Sequence, residues 1–277
     1  MKDGKSGRRL IVNADDFGCD SGINGAVIDA HRHGVLTTAS LMVNEPGFEE
    51  AVALARENPS LGVGLHLTFL FGHSALSPKV IPGLVNSRGE FGTNPPAMGF
   101  RLFKDRSLRP QVRAEIHAQF EKFRATGLPL DHVNGHLHLH LHPTVFHILM
   151  EDASRLGIKS MRLTFDPFWL NLELARGNFW YRVSHAIIFH LLAARARPAL
   201  RRAGIAHTQA VFGLLQNGRV DEDYVMALLA RLPSGDSELY SHPSPDKFKH
   251  ERDALISAGV RREIGERGIR LIRYQDL

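Results

Sequence analysis

The 277 residues read as an α/β chain folded into a seven-stranded, TIM-like (β/α) barrel with a helical insertion. Three features point that way. Short apolar runs of strand length alternate with helical patterns about seven times over, which implies parallel strands joined by crossover helices. The length suits one barrel, so 1–277 is expected to form a single domain. The chemically distinctive residues fall just past strands, at the end where parallel barrels carry their chemistry.

Taken in order, Leu10–Val12 reads as a buried strand, and Gly22–His33 as a helix with Ser21 at its N-cap. Thr37–Val43 is β-prone, Phe48–Arg56 is helical, and Leu61–Leu67 is a strand interrupted by Gly62 and Gly64. Val112–Arg124 has the spacing of an amphipathic helix, Leu130–Asn134 of a short strand, Val145–Leu156 of a helix and Lys159–Leu163 of another strand. A strand near Gln209–Phe212, a helix at Asp221–Leu232, a strand at Glu238–Tyr240 and a last strand at Ile269–Arg273 complete the series.

Two stretches break the rhythm. Thr68–Pro110 is rich in glycine and proline and is expected to be a long irregular loop of functional kind. Within 166–204, Phe168, Trp169, Phe179, Trp180 and Tyr181 precede an apolar run and then Arg195, Arg197, Arg201 and Arg202. Aromatics, an apolar face and clustered arginines are what an interfacial helix presents to an anionic membrane, and equally what a helical insertion packed on the barrel with a solvated basic end would show.

Composition limits the function classes. At 43% hydrophobic and 23% charged, the chain is neither disordered nor collagen-like. A single cysteine, Cys19, excludes an internal disulfide and a thiolate zinc site, and is expected to pack beneath the first helix. The formal charge of +5 is mild, and the arginines cluster in one insertion without a nucleic-acid reader motif, so no nucleic-acid partner is expected. No secretory core or run of eighteen apolar residues occurs, and the expected address is cytoplasmic. Histidine is the anomaly, with 16 copies.

Four motifs carry chemistry. Asp15 and Asp16 directly follow the first strand, where neighbours in extended chain would point to opposite sides. His66 ends the third strand. Asn134-Gly135-His136-Leu137-His138-Leu139-His140-Leu141-His142-Pro143 would, if extended, place four histidines on one side and the leucines on the other. Residues two apart on a strand are separated by roughly 6.6 Å, whereas ligand nitrogens on one ion lie about 3.4 Å apart. A straight strand therefore offers an ion one or two of these imidazoles. The others face substrate, make hydrogen bonds or start the next helix. His242-Pro243 follows another short strand. A barrel brings these pieces to one rim, where an aspartate and two histidines form the donor set of a catalytic metal. A second aspartate can act as base and a separate histidine as acid.

With these motifs, the sequence resembles the YdjC-like carbohydrate deacetylases, relatives of chitooligosaccharide deacetylase, from Arg9 to the C-terminus. The resemblance implies a (β/α) barrel that removes acetyl groups from N-acetylated amino sugars with one divalent ion. An Asp–His–His set suits zinc and permits magnesium or manganese. Carried over by position, it makes Asp15 the catalytic base, Asp16, His66 and His136 the metal ligands, and His242 the acid that protonates the departing amine. His138 and Arg162 are placed at the substrate, Arg162 as a group that orients a carboxylate. His140 and His142 receive no role. The sequence departs from the family pattern at Asn134-Gly135, where Asp-Ser is frequent, and at Ser244, where glycine is. The form of the histidine motif resembles the branch associated with hopanoid biosynthesis, which implies an acetylglucosaminyl hopanoid, hence a lipid-linked substrate, and peripheral contact with the inner face of the membrane through 166–204. Two rivals remain: an amidohydrolase-type enzyme acting on another amide, and a non-catalytic histidine-rich metal-binding protein.

Overall fold

The computed structural model describes residues 7–277. Its strands are β1 (Arg8–Phe17), β2 (Thr38–Leu41), β3 (Gly62–Leu67), β4 (Val133–Gly135), β5 (Ala210–Phe212), β6 (Gly235–Ser241) and β7 (Arg270–Leu271). They form a sheet in the order β4-β3-β2-β1-β6-β5, with β7 on the start of β1, and every pairing is parallel. The expected strand at Lys159–Leu163 forms no ladder of its own. It is reduced to bridges of Met161 with Val133 and Ser160 with Ala206, followed by a hydrogen bond from the Val211 N–H to the Phe165 carbonyl (2.9 Å). Residues 160–165 thereby stand between β4 and β5 in the seventh barrel position.

The helices are α1 (Ser21–His33), α2 (Phe48–Glu57), α3 (Pro95–Lys104), α4 (Arg109–Ala125), α5 (Pro143–Leu156), α6 (Phe168–Leu174), α7 (Phe179–Arg202), α8 (Glu222–Arg231), α9 (Lys249–Ile256) and α10 (Ala258–Glu266). The N-cap of α1 is Asp20, one residue before the expected Ser21. Its carboxylate accepts from the Ile23 N–H, which satisfies one of the unpaired donors of the first turn. The stretch Thr68–Pro110 is less irregular than its composition suggests. Antiparallel bridges His73–Glu90 and Val85–Phe91 pin it, and α3 begins with prolines at its first positions, where no N–H is needed.

The two-residue period of the strands sorts the core into two layers. On β1, Leu10, Val12 and Ala14 pack outward against the helices, while Ile11, Asn13 and Asp15 point into the barrel. The same parity turns Leu239, Leu65 and Leu67 outward. Instead of the branched aliphatic layers usual in such barrels, the interior holds Asn13, Ser40, His132, Asn134, Arg162 and Glu238, all at most 1% exposed. Gly64 is needed for this interior. A Cβ there would lie 2.5 Å from the His132 ring, which stacks on Tyr274 with centroids 4.5 Å apart.

Candidate active site

Asp15 and Asp16 reach the same mouth because β1 is not straight at its end. The β1–β2 register shifts between Ala14 and Phe17, and Asp16 lies in the left-handed region at φ 65°. A bulge of this kind re-aims a side chain at the cost of about 1–3 kcal/mol of backbone strain. The histidine motif is broken in the same way. β4 stops at Gly135, and Leu137 (φ 51°) and His138 (φ 58°) turn left-handed inside a short 3₁₀ segment. The expected alternation of histidines along an extended strand is therefore absent, and the four imidazoles go to four places.

His136 faces Asp16, with Nδ1 2.9 Å from Oδ1, and His66 Nε2 lies 3.3 Å from the same oxygen. Donor atoms of Asp16, His66 and His136 all fall within 4.8 Å of one another. Their chemistry fits a cation. Asn134 donates to Asp15 and Ser40 through its amide nitrogen (3.0 and 2.8 Å), so its oxygen accepts from His66 Nδ1–H at 2.7 Å. With Nδ1 committed to Asn134, Nε2 is the His66 nitrogen left to ligate, and it faces the Asp16 oxygen, so a cation between them would draw a donor from each. Burial raises the Asp16 carboxyl, but the neighbouring His136 outweighs it and holds the group well below the usual carboxylate range. Burial lowers the His136 imidazole, and Asp16 outweighs that to raise it.

Asp15 is buried and accepts from Asn13 Nδ2 (3.0 Å), Asn134 Nδ2 (3.0 Å) and both terminal nitrogens of Arg162 (2.7 and 3.0 Å). Burial pushes its carboxyl up, yet the Arg162 guanidinium and His66 prevail and hold it far below the usual range. Arg162 corrects an expectation. It is fully buried, stacked over Tyr240 at 4.5 Å, and shared with Glu238 (2.7 and 3.0 Å), so it stands behind Asp15 and away from the cavity wall. The carboxylates it orients belong to the protein.

His138 lines the cavity, with Nε2 3.0 Å from the Tyr240 hydroxyl. Burial and the charge of Arg162 push its imidazole well below its ordinary pKa, so it is neutral. His140 donates from Nε2 to the Arg162 carbonyl (2.9 Å) and, chiefly through burial, is lowered to about 3. His142 caps α5, accepting from the Thr144 N–H at Nδ1 and donating from Nε2 to the Gly99 carbonyl. These two histidines are structural. His242 sits across the cavity at the end of β6. Its backbone N–H donates to Glu251 (2.6 Å), its Nδ1 lies 3.8 Å from the same carboxylate, and its ring packs between Tyr240 and Phe248.

These groups bound a cavity of about 260 Å³. Asp15, His66, His136, His138 and His242 all line it, with Asp16 beneath His66 and His136, and Tyr181, His185 and Phe189 of α7 form its far wall. Four residues of the site carried no signal strong enough to single them out from sequence. Asn13, Glu238 and Tyr240 are ordinary members of a strand, and Glu251 sits on a later helix. Inward parity from Asp15 would have found Asn13, and the same parity along β6 would have found Glu238 and Tyr240. Cys19 is half-buried, and burial followed by Asp16 pushes its thiol up to about 12, which suits packing rather than ligation at neutral pH.

A family model described as YdjC-like protein matches residues 9–266. A carbohydrate deacetylase of Brevibacillus brevis is 42% identical over 153 residues, 54% of this chain and 57% of that one. A chitooligosaccharide deacetylase of Proteus mirabilis is 37% identical over 280 residues, covering 97% and 98%. The chain thus spans little more than half of the first relative and nearly all of the second. The crystal structure of an Enterococcus faecalis V583 protein, named for cellobiose-phosphate cleavage, shares the fold with a TM-score of 0.75 at 22% identity, covering 98% and 99%.

Proposed function

Because this chain belongs to the YdjC-like family, we propose that it is a metal-dependent hydrolase that removes the N-acetyl group from an N-acetylated amino sugar. The observation that carries the reading is the convergence of donor atoms of Asp16, His66 and His136 within 4.8 Å of one another, at a cavity that a spare carboxylate, Asp15, and a spare imidazole, His242, also line. The names of the relatives support the substrate class.

A divalent ion held by Asp16, His66 and His136, with zinc the best match to that donor set, would polarise the acetyl carbonyl and acidify a water. Asp15 accepts the proton of the attacking water. Its carboxylate is kept ionised by Arg162, and Arg162 is itself held by Glu238. His242, its backbone held by Glu251 and its ring by Tyr240 and Phe248, donates a proton to the departing nitrogen, so that water and amide become acetate and free amine. His138, neutral and bonded to Tyr240, meets the sugar. At about 260 Å³ the cavity has room for roughly one sugar ring, at the small end of ligand sites.

The rest of the substrate lies outside, and we infer that it is lipid. Helix α7 turns Tyr181, His185 and Phe189 to the catalytic cavity, and Val183, Ala186, Ile187 and Leu191 to a second, apolar groove of about 540 Å³ shared with α6. Trp169, on its wall, is 78% exposed, and Trp180, in the first turn of α7, is 80% exposed. Among the described residues no helix is long and apolar enough to cross a membrane, so the contact is peripheral, through 166–204 at the inner face. An acetylglucosaminyl hopanoid, implied by the form of the histidine motif, is the specific substrate of this reading. The test is acetate release from free, oligomeric and lipid-linked N-acetylated sugars, with zinc, magnesium or manganese restored to metal-free protein. Asp15→Asn should abolish turnover with metal still bound. Near-full activity in that variant would remove Asp15 from its role, and no acetate from any of these sugars would end the deacetylase reading.

A further inference from the structure

A second cavity, of about 490 Å³, opens between α3, α4, α5 and α7. Lys104, Arg106, Arg109, His147 and Arg195 line it, and no carboxylate does. The cations come from separate elements: the end of α3, the turn after it, the starts of α4 and α5, and the middle of α7. Such convergence differs from a run of basic residues along one solvated helix face. His147 has Glu151 as an ion-pair partner, but Lys104, Arg106, Arg109 and Arg195 have none among the described residues. The nearby Asp105 forms no ion pair with them and accepts from Ser107 as the cap of its own turn. The first turn of α5, at Pro143 and Thr144, opens on the same cavity and adds the partial positive charge of a helix N-terminus. Four cations without an ion-pair partner share one concavity, which raises the local concentration of anions there.

We propose that this cavity binds the phosphate of an anionic phospholipid headgroup. Guanidinium groups match phosphate oxygens in paired hydrogen bonds, which suits Arg106, Arg109 and Arg195 to a phosphate diester. The surroundings favour a membrane as its source. Phe100 and Phe103 on α3 are each 65% exposed, placing large apolar side chains beside the cations. Arg195 lies on the helix whose earlier turns expose Ile187, Ile188 and Leu191, and α7 carries five arginines and no acidic residue. Apolar side chains interleaved with cations are what an interfacial surface requires. The site thus adds a headgroup contact from α3 and α4, outside 166–204. The phosphate chemistry stands on the cavity alone, while its lipid source rests on the membrane reading above.

The experiment is co-sedimentation of the full chain with phosphatidylcholine vesicles, with and without about one third phosphatidylglycerol. The variants are Arg106→Ala/Arg109→Ala, Arg195→Ala and a control pair, Arg155→Ala/Lys159→Ala, at the opposite end of α5. Binding to the anionic vesicles should fall about fivefold for each arginine removed from the cavity, and stay within twofold in the control. All these side chains are exposed, so melting temperatures should hold and report folding. An equal loss in the control pair, or no preference of the unaltered protein for anionic vesicles together with no binding of inorganic phosphate, overturns the site. Binding of inorganic phosphate, read by calorimetry and lost in the cavity variants without any vesicle binding, overturns the lipid source. Acetate release from a soluble N-acetylated sugar, measured on the same variants, should be unchanged, so failure of the deacetylase reading would be seen separately.

Discussion

Replacing Arg162 by methionine tests the buried network that holds Asp15. The guanidinium donates four hydrogen bonds, two to Asp15 and two to Glu238, between 2.7 and 3.0 Å, and is fully buried. Methionine keeps most of the volume and none of the charge. Two buried carboxylates would then face each other without their cation, although Asp15 keeps Asn13 and Asn134 as donors and Glu238 keeps the Tyr274 hydroxyl. The cheapest relief is for one carboxyl to take up a proton. At pH 7, about three pH units above an ordinary carboxyl, this costs about 4 kcal/mol at 1.36 kcal/mol per unit. Losses of about 3–5 kcal/mol are usual when one partner of a buried pair is removed.

The sign of the pH dependence follows. With Arg162 present, the Asp15 pKa is depressed, and its contribution is present above the ordinary carboxyl range and lost as pH falls through it. Without Arg162 the protonated form is favoured, so the penalty grows as pH rises. The variant should lie about 4 kcal/mol below the unaltered protein at pH 7 and only about 1.5 kcal/mol below it at pH 5. Urea unfolding followed by far-ultraviolet circular dichroism reads this. Both tryptophans are largely exposed, which makes their fluorescence a poor reporter. Adding Glu238→Gln should recover part of the loss. A gap under about 1 kcal/mol at pH 7, or an equal gap at both pH values, would refute the reasoning.

Other outcomes follow from the same structure. Affinity for the divalent ion should fall as pH drops through the raised pKa of His136, because proton and metal compete for that imidazole; calorimetric titration at several pH values should show proton release on binding. His242→Gln should lower kcat by about 10²–10⁴-fold with metal content unchanged, and loss of the ion would show that His242 is not solely an acid. Asp166, buried beside the apolar groove, is raised by burial to about 7. Its ionisation burdens the fold increasingly as pH rises toward that value, so Asp166→Asn should raise the melting temperature at pH 8 and change it little at pH 4. Gly64→Ala should cost about 1–3 kcal/mol, because the added methyl displaces the His132 ring, and an unchanged melting temperature would contradict that contact.

Much of the architecture was legible because strands and helices announce themselves by period. The order of elements, the parallel sheet and the rim position of Asp15, Asp16, His66, His136 and His242 all follow from apolar runs ending at polar residues. What the period could not reveal is where the chain departs from it. Asp15 and Asp16 share a mouth through a register shift and a left-handed Asp16, and the histidine motif loses its alternation through two left-handed residues after Gly135. Neither aspartate, leucine nor histidine signals such backbone as glycine would. The role of Arg162 was hidden for another reason. A buried arginine is intelligible only with its partners, and Asp15 and Glu238 lie 147 and 76 residues away from it. The strand at 160–165 was readable by propensity, but its pairing is supplied by β4 and the segment before β5 rather than by its own sequence. Asp20 took the cap expected of Ser21 because the helix begins one residue earlier, within the usual play of helix ends.

The measurement closest to the core of the account is acetate release from an N-acetylated hexosamine as metal-free protein is titrated with a divalent ion. Activity should be absent at the start, rise in proportion to added ion and level off at one equivalent per chain, with Asp16→Asn inactive at every ratio. Full activity in the metal-free protein, or in Asp16→Asn, would contradict it.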